Sequence, residues 1–370
     1  MSNRGTTTIA SPSLITSIWQ SVLPTESEER AARRRLHAKA VGIVALLAGS
    51  YFVLVIRDSA VSLRFLAAAG LAMSLVAVGT GIMHDANHDS FSRRRWVNRT
   101  LAYSADALGT SSWLWRFQHN SLHHGNTNVV GFDADIAIAP FARLTPTQPW
   151  RPWHRAQHLY MWPLYGFMAL KNLLVSDVVA LAQGRMGDQP FRKGVTPGVV
   201  VRVVIGKLVH LGWAVVIPLM FNPWWMVLLF YLGCSWMVGF ILAITFQLAH
   251  CVETAEFPDP ADARRGEQFA LHQLRTTCDV ASPVPVVGHV FRWLVGSLDN
   301  QIEHHLAPRL PHTLYPKMAR RFRQACRDNG IAYKLHPGIW AALRSHGRWL
   351  HSLSRPTPTG RASLATTSTV

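Results

Sequence analysis

The chain has 370 residues, 49% of them hydrophobic and only 15% charged, with a mean hydropathy of +0.12 and a formal net charge of +17. That composition excludes a disordered chain and is too apolar for an ordinary soluble enzyme, so a membrane protein is the first reading. No nucleic-acid motif accompanies the positive charge, which is assigned to positive-inside bias and anionic lipid headgroups, or to docking of acidic electron donors or acyl carriers.

Residues 1–36 form a cytoplasmic N-terminal tail, polar at first and then basic at Arg30, Arg33, Arg34 and Arg35. It has no apolar core leading to a small-residue cleavage site, so no secretory signal is read. Four apolar stretches follow, at about residues 40–56, 63–83, 199–221 and 225–248, each near the roughly 20 residues needed to cross a hydrocarbon core. Arg93, Arg94, Arg95 and Arg99 come after the second stretch, whereas the Asn222-Pro223 turn between the third and fourth has no Lys or Arg. The positive-inside rule then gives two membrane hairpins with both chain ends on the cytoplasmic side.

Regions 84–197 and 250–354 are expected to be cytoplasmic, and the whole domain to run from 37 to 354. Within the first region, Leu101 to Trp115 is apolar but too short to span, which predicts an interfacial or buried helix. Residues 355–370 are rich in Thr, Ser, Pro and Gly and are expected to be disordered. Cys234, Cys251, Cys278 and Cys326 form no C-x-x-C pair and read as small hydrophobes. Arginine outnumbers lysine, pointing to a bacterial inner membrane, with the endoplasmic reticulum as the alternative.

The 18 histidines carry most of the chemical information through their grouping. His84-Asp85-Ala86-Asn87-His88 directly follows the second stretch, where i and i+4 share a helix face and can grip one metal. His119-Asn120-Ser121-Leu122-His123-His124 offers the same pair plus an adjacent ring. Gln301-Ile302-Glu303-His304-His305 adds i+3 and i+4 spacing, and His250 closes the fourth stretch. A lone H-x-x-x-H is more often a structural pair, but eight histidines converging on one membrane face are not explained that way. Eight rings, with Gln301 as a further candidate, exceed what one tetrahedral zinc uses, so two metals are implied. Without cysteine in the boxes, two redox-active irons activating dioxygen are the economical choice. The rings' second N–H groups need acceptors, and Asp85, Asp133, Asp135, Glu253 and Glu303 are the candidates. His154, His158, His210, His272, His312 and His351 lie outside the boxes and read as satisfied or solvated.

These boxes resemble those of the membrane fatty acid desaturase family. The likeness extends through Trp115-Arg116-Phe117-Gln118-His119-Asn120, His123-His124-Gly125-Asn126-Thr127-Asn128, Gly131-Phe132-Asp133-Ala134-Asp135-Ile136 and Asn300-Gln301-Ile302-Glu303-His304-His305-Leu306-Ala307-Pro308. Gln301 in place of a histidine is similar to front-end and some bacterial acyl-CoA members. The resemblance implies an all-α integral membrane fold in which four transmembrane helices, as two hairpins, carry a cytoplasmic helical cap. It also implies a di-iron centre held by His84, His88, His119, His123, His124, His250, His304 and His305, and an acyl tunnel. The expected reaction is oxygen-dependent insertion of a carbon–carbon double bond into an acyl chain carried on CoA, carrier protein or lipid. No electron-transfer module is fused, so a separate ferredoxin- or cytochrome-type donor is expected. A related di-iron hydroxylase or acetylenase, a zinc-dependent membrane hydrolase and a non-catalytic lipid-binding membrane protein are the alternatives.

Overall fold

The computed structural model describes residues 12–260, 269–282 and 285–356. Most of the tail expected to be disordered, residues 357–370, lies outside them. The architecture is helical, with two small sheets: Arg185–Met186 pairs antiparallel with Gln189–Pro190, and Asp279–Val280 pairs parallel with Leu335–His336.

Among the described residues, four helices are long and apolar enough to cross a membrane: Glu26–Ile56, Val61–Asn87, Pro197–Leu219 and Trp224–His250. Their starts follow from local chemistry. Thr25 Oγ1 accepts from Glu28 N, while the Glu28 carboxylate accepts from Thr25 N, closing a capping box. Pro197 occupies the first turn of the third span and Pro223 caps the fourth, positions where a missing N–H costs little. At the end remote from the histidine boxes the two hairpins are tied together. Arg64 Nη1 donates to Asn222 Oδ1 at 2.6 Å, and Asn222 Nδ2 donates to the Val55 carbonyl at 2.8 Å.

The first span begins earlier than hydropathy indicates, because Glu26 to Leu36 continues the same helix beyond the apolar stretch. Before it, Pro12–Ser21 is also helical and places Ile15, Ile18 and Trp19 in a core with Leu314, Met318 and Phe322. The apolar run from Leu101 to Trp115 is not one helix but parts of three, Arg95–Ala102, Ser104–Ala107 and Ser112–Trp115. Gly109, at φ 90°, breaks it, and the buried amides of Ser111 and Ser112 donate to Asp177 and Asp106.

Hydropathy also conceals a bent helical pair, Pro152–Tyr165 and Met168–Gln183, which meet at 80°. Pro163 and several polar residues interrupt its sequence signal. The bend rests on the fourth span, where Trp236 Nε1 donates to the Pro163 carbonyl at 3.1 Å. A Cβ at Gly239 would stand 2.3 Å from the Gly166 carbonyl oxygen. Gly239→Val should therefore destabilise the protein by about 1–3 kcal/mol, the usual range for overpacking. Thermal unfolding in detergent reads this, and wild-type stability would show that the bend does not bear on the span.

Candidate metal centre

Each box reaches the centre on a different helical device. The second span passes through a π-helical stretch, Val78–Met83, before the turn His84–Asn87. The second box lies on a π-helix, Arg116–His123, rather than on an α-helix. There i and i+5 align. His119 and His124 accordingly bring their Nε2 atoms to 3.2 Å. The third box sits on the short helix Gln301–Leu306, whose Ile302 amide donates to Asp279 Oδ1 at 2.9 Å. His250 is the last residue of the fourth span.

The eight histidines meet in one buried chamber and divide into overlapping groups. His84, His88, His119 and His304 form one and His123, His250 and His305 another; His124 groups with His304 and His305. Within each group the ligand atoms all lie within 4.8 Å of one another. Imidazole nitrogens about 2.0–2.1 Å from a zinc-sized ion stand roughly 3–4.2 Å apart, so this spacing suits a metal. The i, i+4 pair His119 and His123 forms a further group with Asp135, while the π turn also places His119 with the first group and His123 with the second.

Unpaired nitrogens supply a separate test of fit. The Nε2 atoms of His84, His88, His250 and His304 are buried without a hydrogen-bond partner. Buried polar atoms are rarely left this way, and cations held at these lone pairs remove the deficit. The outward Nδ1 atoms of four rings are, by contrast, engaged, while those of His84 and His124 are not. His123 Nδ1 pairs with Asp133 Oδ2 at 3.0 Å, His305 Nδ1 with Gln273 Oε1 at 2.8 Å, and His304 Nδ1 with the Tyr315 hydroxyl at 3.2 Å. His250 Nδ1 faces the Thr276 carbonyl at 3.4 Å. Such outer partners select the tautomer that leaves Nε2 free for metal.

Of the five proposed carboxylate partners, three lie beside the rings. Asp133 is one; Asp135 is 3.9 Å from His119 Nδ1 and 3.7 Å from His123 Nδ1, and Asp85 is 3.7 Å from His84 Nδ1. The other two are elsewhere. Glu253 pairs with Arg348 at 2.6 Å on the surface, since the chain turns outward after His250. Glu303 accepts from the Tyr333 hydroxyl at 3.0 Å, because a residue next to His304 on a helix points about 100° away. Gln301 is buried at the start of its helix. The sequence gives no sign of Gln273, Thr276 and Tyr315 as partners, although Gln273 adjoins His272, whose Nε2–H donates to the Thr127 carbonyl at 3.0 Å.

An apolar cavity of ≈ 180 Å³ runs between the spans and reaches the chamber at Met83 and Trp115. The Trp115 ring packs 4.4 Å from that of His119 and 5.8 Å from those of His84 and His88. Leu71, Leu75, Phe230, Cys234, Val238 and Leu242 supply much of the wall.

A family profile described as fatty acid desaturase matches residues 60–337, and the chain belongs to that family. It is 30% identical over 324 residues to an sn-1 linoleoyl-lipid 6-desaturase of Arthrospira platensis, covering 86% of each chain. An sn-1 linoleoyl-lipid 6-desaturase of Synechocystis sp. is 32% identical over 79% of this chain and 81% of its own. An acyl-lipid (8-3)-desaturase of Physcomitrium patens is 33% identical over 80% of this chain and 62% of its own. The protein is thus an integral-membrane oxidoreductase that desaturates fatty acyl chains, and its family implies iron and dioxygen.

Burial, followed by the charges of neighbouring rings, pushes the pKa values of His119, His124, His304 and His305 well below the ordinary histidine value. For His123 burial acts downward too, but Asp133 and Asp135 outweigh it and the net direction is upward. A lowered folded-state pKa means the unfolded chain binds more protons, so these four rings make stability rise with pH until about 6.5, the unperturbed value. His123 acts in the opposite sense, as do Asp279, which burial raises to about 6, and Glu303, which burial also raises; against these three stand the four rings together with His312 and His346, which burial lowers. Metal-free protein should therefore melt at progressively higher temperature between about pH 5 and 6.5 and level off above. A flat or falling profile would contradict the burial of these rings as neutral groups.

Proposed function

We propose that the chain holds two iron ions, one by His84, His88, His119 and His304 and the other by His123, His250 and His305, with His124 facing both. The substrate proposed is an acyl chain carried on a membrane lipid, and the electrons come from a separate ferredoxin- or cytochrome-type protein. The observation that carries the reading is the junction itself, where unpaired buried Nε2 atoms meet an apolar cavity at Trp115. The printed substrates of the relatives, linoleoyl-lipid and acyl-lipid, support the carrier.

When bound, the iron pair supplies the activation of dioxygen by which two hydrogens leave adjacent methylenes, two donor electrons and two protons completing its reduction to two waters. The protein supplies position and exclusion. Met83 and Trp115 form the wall between cavity and chamber, holding a methylene pair beside the rings of the first group. Asp133 fixes the His123 tautomer, and Gln273, which also donates to the His124 carbonyl at 3.1 Å, does the same for His305. The lining of the cavity is mostly aliphatic and aromatic, which keeps water from a reacting chain. Gln301 is proposed as a weak ligand or one acting through water.

The exposed Arg34, Arg35, Arg93, Arg94, Arg95 and Arg99 stand near the histidine-bearing ends of the first two spans. By the positive-inside rule that end, and both termini, face the cytoplasm, in a bacterial inner membrane. In this reading regions 84–197 and 250–354 form a cytoplasmic cap over the four spans.

Fatty-acyl mass spectrometry of a host supplied with a donor system should show a new unsaturated chain with wild type and none with His123→Ala, whose purified protein should also lose iron. Gln301→Ala should retain most iron with a smaller loss of product. Full activity and metal content in His123→Ala would refute the assignment, and complete iron loss in Gln301→Ala would promote that residue to a principal ligand.

A further inference from the structure

His312 and Lys39 belong to no histidine box, yet they form a buried chain that ends at a box residue. Lys39, on the first span, places Nζ 2.9 Å from His312 Nε2. An ammonium group can only donate, so Nε2 is the acceptor and the ring proton sits on Nδ1. That Nδ1–H donates to Asp85 Oδ2 at 3.0 Å, and the His312 backbone N–H donates to the same oxygen at 3.1 Å. Asp85 Oδ1 accepts no hydrogen bond and lies 3.7 Å from His84 Nδ1, which is likewise without one. Asp85 is fully buried and His312 is 1% exposed.

Oδ2 is thus saturated from one side, and the bare oxygen is left facing the imidazole. A carboxylate so oriented favours the His84 tautomer protonated at Nδ1, which turns the Nε2 lone pair toward His88, His119 and His304. Lys39 balances the charge: with a neutral ring between them, one cation and one anion share a region where an isolated carboxylate is costly. The segment is anchored as well, since Thr313 Oγ1 donates to the Ala32 carbonyl at 2.9 Å and Lys39 lies over the Trp293 ring at 5.2 Å.

We infer that Lys39 and His312 are positioning residues of the metal centre, acting through Asp85 on His84. The inference rests on the di-iron reading above. Three separate stretches of chain must be docked for it to operate: the first span, the end of the second, and the segment after the third box. Metal loading at the first group therefore reports their assembly.

The test measures iron per chain, and the rate of iron loss to a ferrous chelator, on purified full-length protein after anaerobic reconstitution. Wild type should bind two irons. His312→Phe, which removes both side-chain hydrogen bonds, should weaken one site by roughly 10–100-fold and retain about one iron against the chelator. His312→Asn keeps an N–H donor toward Asp85 and should recover most of the lost metal. Lys39→Arg should behave as wild type, whereas Lys39→Met, close in shape but without charge or donor, should release iron faster. Lys39→Met also decides the matter if His312→Phe fails to fold. Wild-type iron retention in His312→Phe or Lys39→Met, or His312→Asn no better than His312→Phe, would overturn the positioning role. Wild-type protein that takes up no iron would instead overturn the di-iron reading and this inference with it.

Discussion

Buried imidazoles serve together as ligands when they present a bare nitrogen inward, and in four of the eight rings here the other nitrogen is held from outside. A ring free to rotate would turn its lone pair to the nearest donor and be lost as a ligand. The outer partners here are of several kinds, carboxylate for His123, amide for His305, phenol for His304 and backbone carbonyl for His250. They come from segments far apart in the chain, so the centre is a tertiary product although its ligands are local motifs. Much of the capping region exists to bring those partners in. Asn128 is an example, its Nδ2 donating to the carbonyls of His250, Glu256 and Thr276 and so joining the fourth span to the segment behind the third box.

That division explains what was legible in the sequence. The spans were, because apolar runs of membrane length have few other uses, and so was the grouping of His84, His88, His119, His123, His124, His304 and His305. The distribution of rings between two groups was not, since it depends on the π-helix at Arg116–His123, which has no signature in residue type. Adjacent carboxylates were an unreliable guide to outer partners: Asp85 and Asp133 fit, but Glu303 sits one residue from a ligand and faces Tyr333. The bent pair at Pro152–Gln183 stayed hidden because its apolar surface is broken by Pro163 and by polar side chains, and tertiary packing on the fourth span at Trp236 and Gly239 holds it.

Polar residues inside the spans are expensive in hydrocarbon and therefore informative. Lys207, on the third span, pairs with Asp177 at 2.9 Å, and the same Asp177 oxygen accepts the Ser111 amide. The charge thus holds the loop that launches the second box. His210, three residues on, donates from Nδ1 to the Ala107 carbonyl at 3.0 Å, which leaves Nε2 of the neutral ring to accept from the Tyr231 hydroxyl at 3.1 Å. Both side chains line the cavity, yet their hydrogen-bonding capacity is turned on each other. The wall they present to a hydrocarbon chain has no unmatched donor.

Two helices, the second and fourth spans, contribute to both cavity and chamber. On the second span Leu71, Leu75, Gly79 and Met83 line the cavity at four-residue intervals, and the next residues in the chain are His84 and its box. An α-helix advances about 40° for every four residues, so such a row drifts gently around the helix. The wider π turn at Val78–Met83 sets the phase back, keeping Met83 on the wall while His84 and His88 face the chamber. The fourth span repeats the plan with Phe230, Cys234, Val238 and Leu242 on the wall, then Phe246, whose ring packs 4.9 Å from that of His123, and then His250. These positions follow the i+4 row, which inclines gently to the helix axis, so the cavity leans as it approaches the rings. Neither wall can shift along its helix without moving a ligand. The distance from any point on these two walls to the chamber is consequently set by helical geometry, about 1.5 Å of rise per residue.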